Sequence, residues 1–227
     1  MITAEAFAEK IHRSLARRKQ ELARLRIQLT SFQPNTPHLE WMTRSAVVLA
    51  YTHWEGFVKD ASQAYVRTIN SRQIRTMDLK HCLQAAALTS HFKRTEGSGK
   101  LSFIGTVLSD IDRSRSAVFS VQPEKVVDTE SNLSSVVFAE NIARLGLVQA
   151  DVYDMRAAFI DAKLVAGRNQ VAHGELVTFK TEEAIARIDG VLLLLDGFAN
   201  QLIDAVRDEA FMQEKVPMVA TPSGSPP

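Results

Sequence analysis

Val165 to Val177 reads VAGRNQVAHGELV. It sets an arginine, Arg168, five positions before a histidine, His173, in a segment that otherwise reads as a helix running into Gly174. These residue types suit phosphodiester chemistry. An imidazole moves protons near neutral pH, a guanidinium is permanently charged and grips phosphoryl oxygens through paired N–H bonds, and Asn169 adds a neutral hydrogen-bonding group. A histidine acting as acid or base beside an arginine that stabilises phosphoryl charge fits cleavage without a metal ion. The spacing is weaker support. Five residues place Arg168 and His173 about 140° apart around a helix, off any single stripe. Asn169 lies one turn from His173 on the same face, and a swung Arg168 can converge with both at the helix end. Arginine and histidine at this spacing also occur by chance, so a polar helix end with a satisfied histidine stays open on chemistry alone.

The elements that must position these residues read as helices. From Thr3 to about Leu29 the residues Phe7, Ile11, Leu15, Leu22, Leu25 and Leu29 form one apolar stripe, with Thr3 as N-cap and Glu5 in the first turn. Arg13, Arg17, Arg18, Lys19, Arg24 and Arg26 fill much of the remainder. They read either as a solvated face or as a surface for an RNA backbone. Pro34 and Pro37 break this helix, and a second runs from Leu39 to about Asn70. A third covers Met77 to Phe92, KRTEGSGK reads as a flexible loop, and Leu101 to Ile111 as a short helix. SVQPEKVVDTESN reads as irregular. Asn132 or Ser134 can cap a short helix that Gly146 ends after Leu145; Asp151 starts the helix that carries Arg168 and His173. Thr181, followed by Glu182 and Glu183, starts the last helix, which reaches about Phe211. The pattern predicts an all-α chain with elaborations between residues 71 and 135, and a disordered Pro/Ser/Gly tail over residues 212–227.

Composition narrows the function classes. With 27 basic and 26 acidic residues among 227, the formal net charge is +1, which argues against coating nucleic acid by bulk charge while allowing a local basic site. The single cysteine, Cys82, permits neither an intrachain disulfide nor a multi-cysteine zinc site and reads as an inert buried residue. The N-terminus has no continuous apolar stretch of signal-peptide type, and the longest strongly apolar run is Val191–Leu195. These features predict a soluble, cytoplasmic protein. There is no phosphate-binding glycine loop, HExxH zinc motif or GxSxG elbow, and no carboxylate–histidine metal cluster is evident.

LVAGRNQVAHGE resembles the motif of HEPN domains, in which an arginine and a histidine are separated by four to six residues, often with a polar residue after the arginine; here four intervene and Asn169 takes the polar position. AYTHWEGFVKDASQAYV (Ala50–Val66) and DTESNLSSVVFAENIARLGL (Asp128–Leu147) resemble the RiboL-PSP-type HEPN proteins, where a Trp-Glu-Gly-Phe helix precedes a Ser-Asn-Leu segment and a Leu-Gly-Leu turn. The resemblance spans roughly residues 40–210, within a single helical domain taken as residues 1–211.

The resemblance implies an up-and-down four-helix bundle with extra short helices and loops. It further implies a metal-independent endoribonuclease without cofactor, a toxin or antiviral defence effector in which a homodimer joins two motifs into one composite site. Two histidines across a two-fold axis can divide the roles of acid and base. Arg168, Asn169 and His173 are then the catalytic residues, and Arg168 also binds the RNA. A non-catalytic HEPN module, binding RNA or nucleotide or serving as antitoxin or regulatory partner, is the alternative, and a purely structural helical dimer is a third. An antitoxin or defence-system protein is a possible partner.

Glu55 sits in an apolar stretch with Trp54 and Phe57. It reads either as a group that orients Arg168 or accepts from His173, or as a helix residue paired with Lys59. His53 reads as structural. Trp41, Tyr51, Trp54, Phe57 and Tyr65 read as core or dimer contacts, with base stacking open to one of them.

Overall fold

The structure, a computed structural model, describes residues 1–33, 36–95 and 100–214. Three long helices carry most of the core. They are α1 (Ala4–Ser31), α2 (Pro37–Ser71) and α9 (Thr181–Arg207). The fourth member is a continuous helical rod made of α7 (Asp151–Phe159), a π-helical stretch (Ile160–Val165) and α8 (Ala166–Ala172). Between α2 and this rod lie α3 (His81–Thr95), α4 (Leu101–Ser116), the one-turn α5 (Pro123–Val126) and α6 (Ser135–Arg144). Among the described residues the only extended pairing is two isolated bridges, Arg75 with Val118 and Leu79 with Met212. The fold is all-α, as the apolar periodicity predicts.

Helix starts follow from the side chains available. Thr3 Oγ1 accepts from the Ala6 amide, Thr36 Oγ1 from Leu39, and Ser134 Oγ from Val137, each at 3.2 Å. Each bond satisfies an amide that has no partner within the helix. Pro37 opens α2, where its missing N–H costs nothing. Ser134, one of the two expected caps, caps α6. Helix α9 starts at Thr181 as expected, with Lys180 at the N-cap position, where the Glu183 carboxylate accepts its backbone amide at 3.0 Å. Helix α4 continues past Ile111 to Ser116, and the segment read as irregular contains α5. The segment KRTEGSGK begins within α3, while its residues 96–99 and the tail from residue 215 lie outside the described residues.

The α1 stripe is buried as its spacing demands, with one addition. Arg18 interrupts it and is itself buried. Its guanidinium faces the Phe57 ring at 5.9 Å and meets Asp60 at 2.6 Å, so it belongs neither to a solvated face nor to an exposed surface. Lys19 and Arg26 reach Asp196 and Asp189 of α9. Aromatic edges knit the centre. Phe138 of α6 lies 4.9 Å from Trp54 and from Tyr153 and 5.5 Å from Phe198, which pins α6 to three core helices. Trp54, Tyr51, Phe57 and Tyr65 are buried, whereas Trp41 is 62% exposed on α2. Cys82 is half-buried, and burial pushes its thiol up.

Two glycines in helices give opposite expectations. A methyl group at Gly105 of α4 would meet nothing within 4 Å, whereas one at Gly190 of α9 would overlap the Phe159 ring. Gly105→Ala should therefore raise stability by about 0.5–1 kcal/mol, through lower chain entropy in the unfolded state. Gly190→Ala should lower it by about 1–3 kcal/mol through overpacking. Urea denaturation of the two variants checks both signs.

His53, buried on α2, lies 3.4 Å from Glu21. Burial holds its imidazole below the ordinary value; Arg18 and Arg17 push the same way, and Glu21 opposes them without prevailing. The unfolded chain therefore takes up this proton first, near pH ~6.5, and stability should fall as pH drops through that value toward the lower folded pKa. Thermal unfolding from pH 7.5 to 5 should show this slope in the wild type and a flatter one in His53→Gln.

Candidate functional site

Helix α8 ends in a tight glycine turn. Gly174 has φ +75° and donates to the Val171 carbonyl at 3.1 Å, while Glu175 donates to Gln170 at 3.0 Å. This pair of bonds closes the helix over its last carbonyls, and a left-handed residue without Cβ makes it possible. His173 is the C-cap, with its amide donating to Asn169 O at 2.9 Å and its side chain exposed. Arg44 of α2 donates to the Glu175 carbonyl at 3.0 Å and ties the turn to the bundle.

Arg168 faces the other way. Its guanidinium carbon stands 4.4 Å above the centre of the Tyr51 ring on α2. Its Nη2 donates to Ser131 O at 2.8 Å and to Asn132 Oδ1 at 3.0 Å, and its Nε is buried without a partner. The stacking and both loop bonds fix the plane of the fork. Tyr51 does a second job, since its hydroxyl accepts the Leu133 amide at 2.7 Å. Burial, ahead of every other influence, raises this phenol above its ordinary value.

The loop that receives Arg168 is held from several sides. Glu130 and Ser131 have φ +53° and +55°, a conformation that turns the Ser131 carbonyl toward the arginine. Asn141 of α6 brackets the loop's start, accepting from the Asp128 amide and donating to its carbonyl. At its end Asp161, within the π-helical stretch, accepts from the amide and the hydroxyl of Ser135 at 2.7 and 2.6 Å. The rod that carries Arg168 thus also anchors the loop that orients it. π-Helical turns inside α-helices are frequent at functional sites, and this one lies three residues before Arg168.

The sequence-predicted residues occupy one end of the bundle but are not joined by hydrogen bonds. Asn169 is half-buried and His173 exposed, and neither makes a side-chain hydrogen bond among the described residues. Arg168 points inward to α2 and His173 outward, consistent with their angular separation on a helix. Glu55 is half-buried one turn after Tyr51, close enough for its charge to raise that phenol. It makes no hydrogen bond to Arg168 or His173, and no ion pair with Lys59; Tyr51, Ser131 and Asn132 orient the arginine instead. Sequence reasoning missed this role. Its signal was present, because Tyr51 falls in one of the two family-like segments and Ser131-Asn132-Leu133 in the other. Among the described residues no three His, Cys, Asp or Glu side chains are grouped to hold a metal ion, and no helix is long and apolar enough to cross a membrane.

A family model for HEPN_MAE_28990-like HEPN domains matches residues 7–211. The chain belongs to this HEPN family. The match starts within α1 and ends just past α9. It bears out the HEPN superfamily and names a branch other than the RiboL-PSP type that the two segments resemble. No curated protein and no solved structure matches the chain.

Tyr51→Phe keeps the ring beneath Arg168 and leaves the buried Leu133 amide without its acceptor. It should cost about 1–3 kcal/mol in urea denaturation. Tyr51→Ala should cost more, because it also removes the platform and leaves a cavity. Equal stability of Tyr51→Phe and wild type would remove the hydroxyl from this account.

Proposed function

We propose that this HEPN protein is a metal-independent endoribonuclease whose site is built from Arg168, Asn169 and His173. The observation that carries the reading is the fixed Arg168 fork. The loop bonds engage only Nη2, so a charged group is held in one orientation by an aromatic face and, among the described residues, no carboxylate neutralises it. Held this way, it suits the charge that builds on phosphoryl oxygens. His173, exposed at the helix end, is accessible to a substrate proton.

In this reading the RNA 2′-OH attacks the adjacent phosphorus. One His173 takes the hydroxyl proton, Arg168 steadies the crowded phosphate, Asn169 orients it, and a second histidine protonates the leaving 5′-oxygen. That second histidine is His173 of another copy, since a single histidine cannot easily serve as base and acid in one step. The products are a 2′,3′-cyclic phosphate and a free 5′-hydroxyl. A toxin or antiviral effector role would follow from such activity. The orientation of Arg168 also supports RNA or nucleotide binding without turnover, the alternative that the experiment separates.

The test is purified protein with end-labelled RNA, with and without EDTA, followed by end-group analysis. Expected are cyclic-phosphate ends in both conditions, intact DNA, and loss of cutting by about 10²–10⁴-fold or more in His173→Ala and Arg168→Ala. RNA affinity should fall more in Arg168→Ala, since arginine holds phosphate. Cutting that EDTA stops, or products with 3′-hydroxyl ends, would exclude this mechanism. RNA binding without cutting would favour the non-catalytic reading.

A further inference from the structure

We propose that a basic cleft between α1 and α2, lined by Lys10, Arg13, Arg17 and Arg67, binds the phosphodiester backbone of single-stranded RNA as an anchor separate from Arg168 and His173. The proposal rests on RNA being the ligand of this protein.

The cations of α1 divide into two groups. Arg18, Lys19 and Arg26 are engaged by Asp60, Asp196 and Asp189 on neighbouring helices. Lys10, Arg13 and Arg17 instead line a cleft of about 440 Å³ together with Arg67 of α2. Lys10 makes no ion pair among the described residues. Arg13 and Arg17 pair with Glu9 and Glu21 along their own helix, and Arg67 meets Glu124 at 3.7 Å. All of these partners are exposed, and exposed pairs are weak enough to exchange for a phosphate. The one carboxylate in the lining, Asp60, is already held by Arg18 at 2.6 Å from the core side. The lining thus sets four cations against one carboxylate in a chain of formal charge +1.

The shape favours a nucleic acid strand over a folded partner. The floor is Ile11, Ala61 and Ala64, buried and mostly small, and Ser14 adds a hydroxyl. An apolar floor rimmed by guanidinium forks takes a sugar below and phosphates at the rim. The volume suits ligands of nucleotide scale, whereas a docked helix is about 10–12 Å across. Asp60 and Tyr51 are nine residues apart on α2, about half a turn around its axis. The cleft and the Arg168 platform therefore sit on different flanks of one helix. An RNA long enough to reach both would gain two anchors on one chain.

The test is fluorescence anisotropy of the full chain with a labelled single-stranded RNA twelve nucleotides long, in the His173→Ala background. Lys10→Ala combined with Arg13→Ala should weaken binding about tenfold. It should also flatten the slope of log K against log salt by about 1.4, at about 0.7 per lost single-strand contact. Lys93→Ala, an exposed cation on α3, should change neither, and Arg13→Lys should retain most of the affinity. Circular dichroism checks that the variants fold. Wild-type affinity and slope in the double variant would overturn the proposal. So would a cleft that takes labelled polyglutamate more tightly than RNA, which would make it an acidic-protein site. A wild type that cuts no RNA but shows the same loss in the double variant supports the cleft and counts only against the ribonuclease reading.

Discussion

Tyr51 joins three segments that are far apart in sequence. Its ring lies beneath Arg168, its hydroxyl holds the Leu133 amide, and its backbone belongs to the longest helix of the bundle. An arginine on a short helix is ordinarily a flexible side chain with several rotamers. Here a stacking surface and two loop oxygens remove that freedom before any ligand arrives, which is the form in which a charge is most useful to a reacting phosphate. The neighbouring interactions serve the same arrangement. Phe138 fixes α6, Asn141 and Asp161 fix the two ends of the loop, and the loop in turn fixes the arginine.

Much of the fold was legible because helices announce themselves locally. The stripe from Phe7 to Leu29, the threonine cap at Thr3, and the glycine stops at Gly146 and Gly174 each depend on a few adjacent residues, and the structure places them where spacing and cap chemistry put them. What was not legible depends on partners distant in sequence. Arg18 sits among exposed arginines in the sequence, and only the approach of Phe57 and Asp60 shows that it is buried. Glu55 was a reasonable candidate for orienting Arg168, being an acid in an apolar run. The role falls instead to a backbone carbonyl and an amide oxygen in a loop with positive φ at two non-glycine residues, which no composition or periodicity signals.

The candidate site has the same division. Residue types at Arg168, Asn169 and His173 state which chemistry is available. The geometry adds an asymmetry the motif does not contain. The arginine is sequestered against the bundle while the histidine stands free at the helix end, so within one protomer the two groups face different surroundings. A ligand that met both would have to lie across the end of α8 instead of in a closed pocket.

The π-helical stretch from Ile160 to Val165 acts as a phase shift in the rod. A turn of this kind holds one residue more than an α-helical turn, so everything after it is rotated by about 100° from the course an unbroken α-helix would follow. Upstream of the shift, Tyr153 is buried in the core; downstream, Arg168 meets Tyr51. Loss of a single residue from this stretch would leave a better-formed helix, with Arg168 turned off its platform and the motif intact in sequence. The spacing between arginine and histidine is thus only half of the address; the other half is the count of residues back to Asp151.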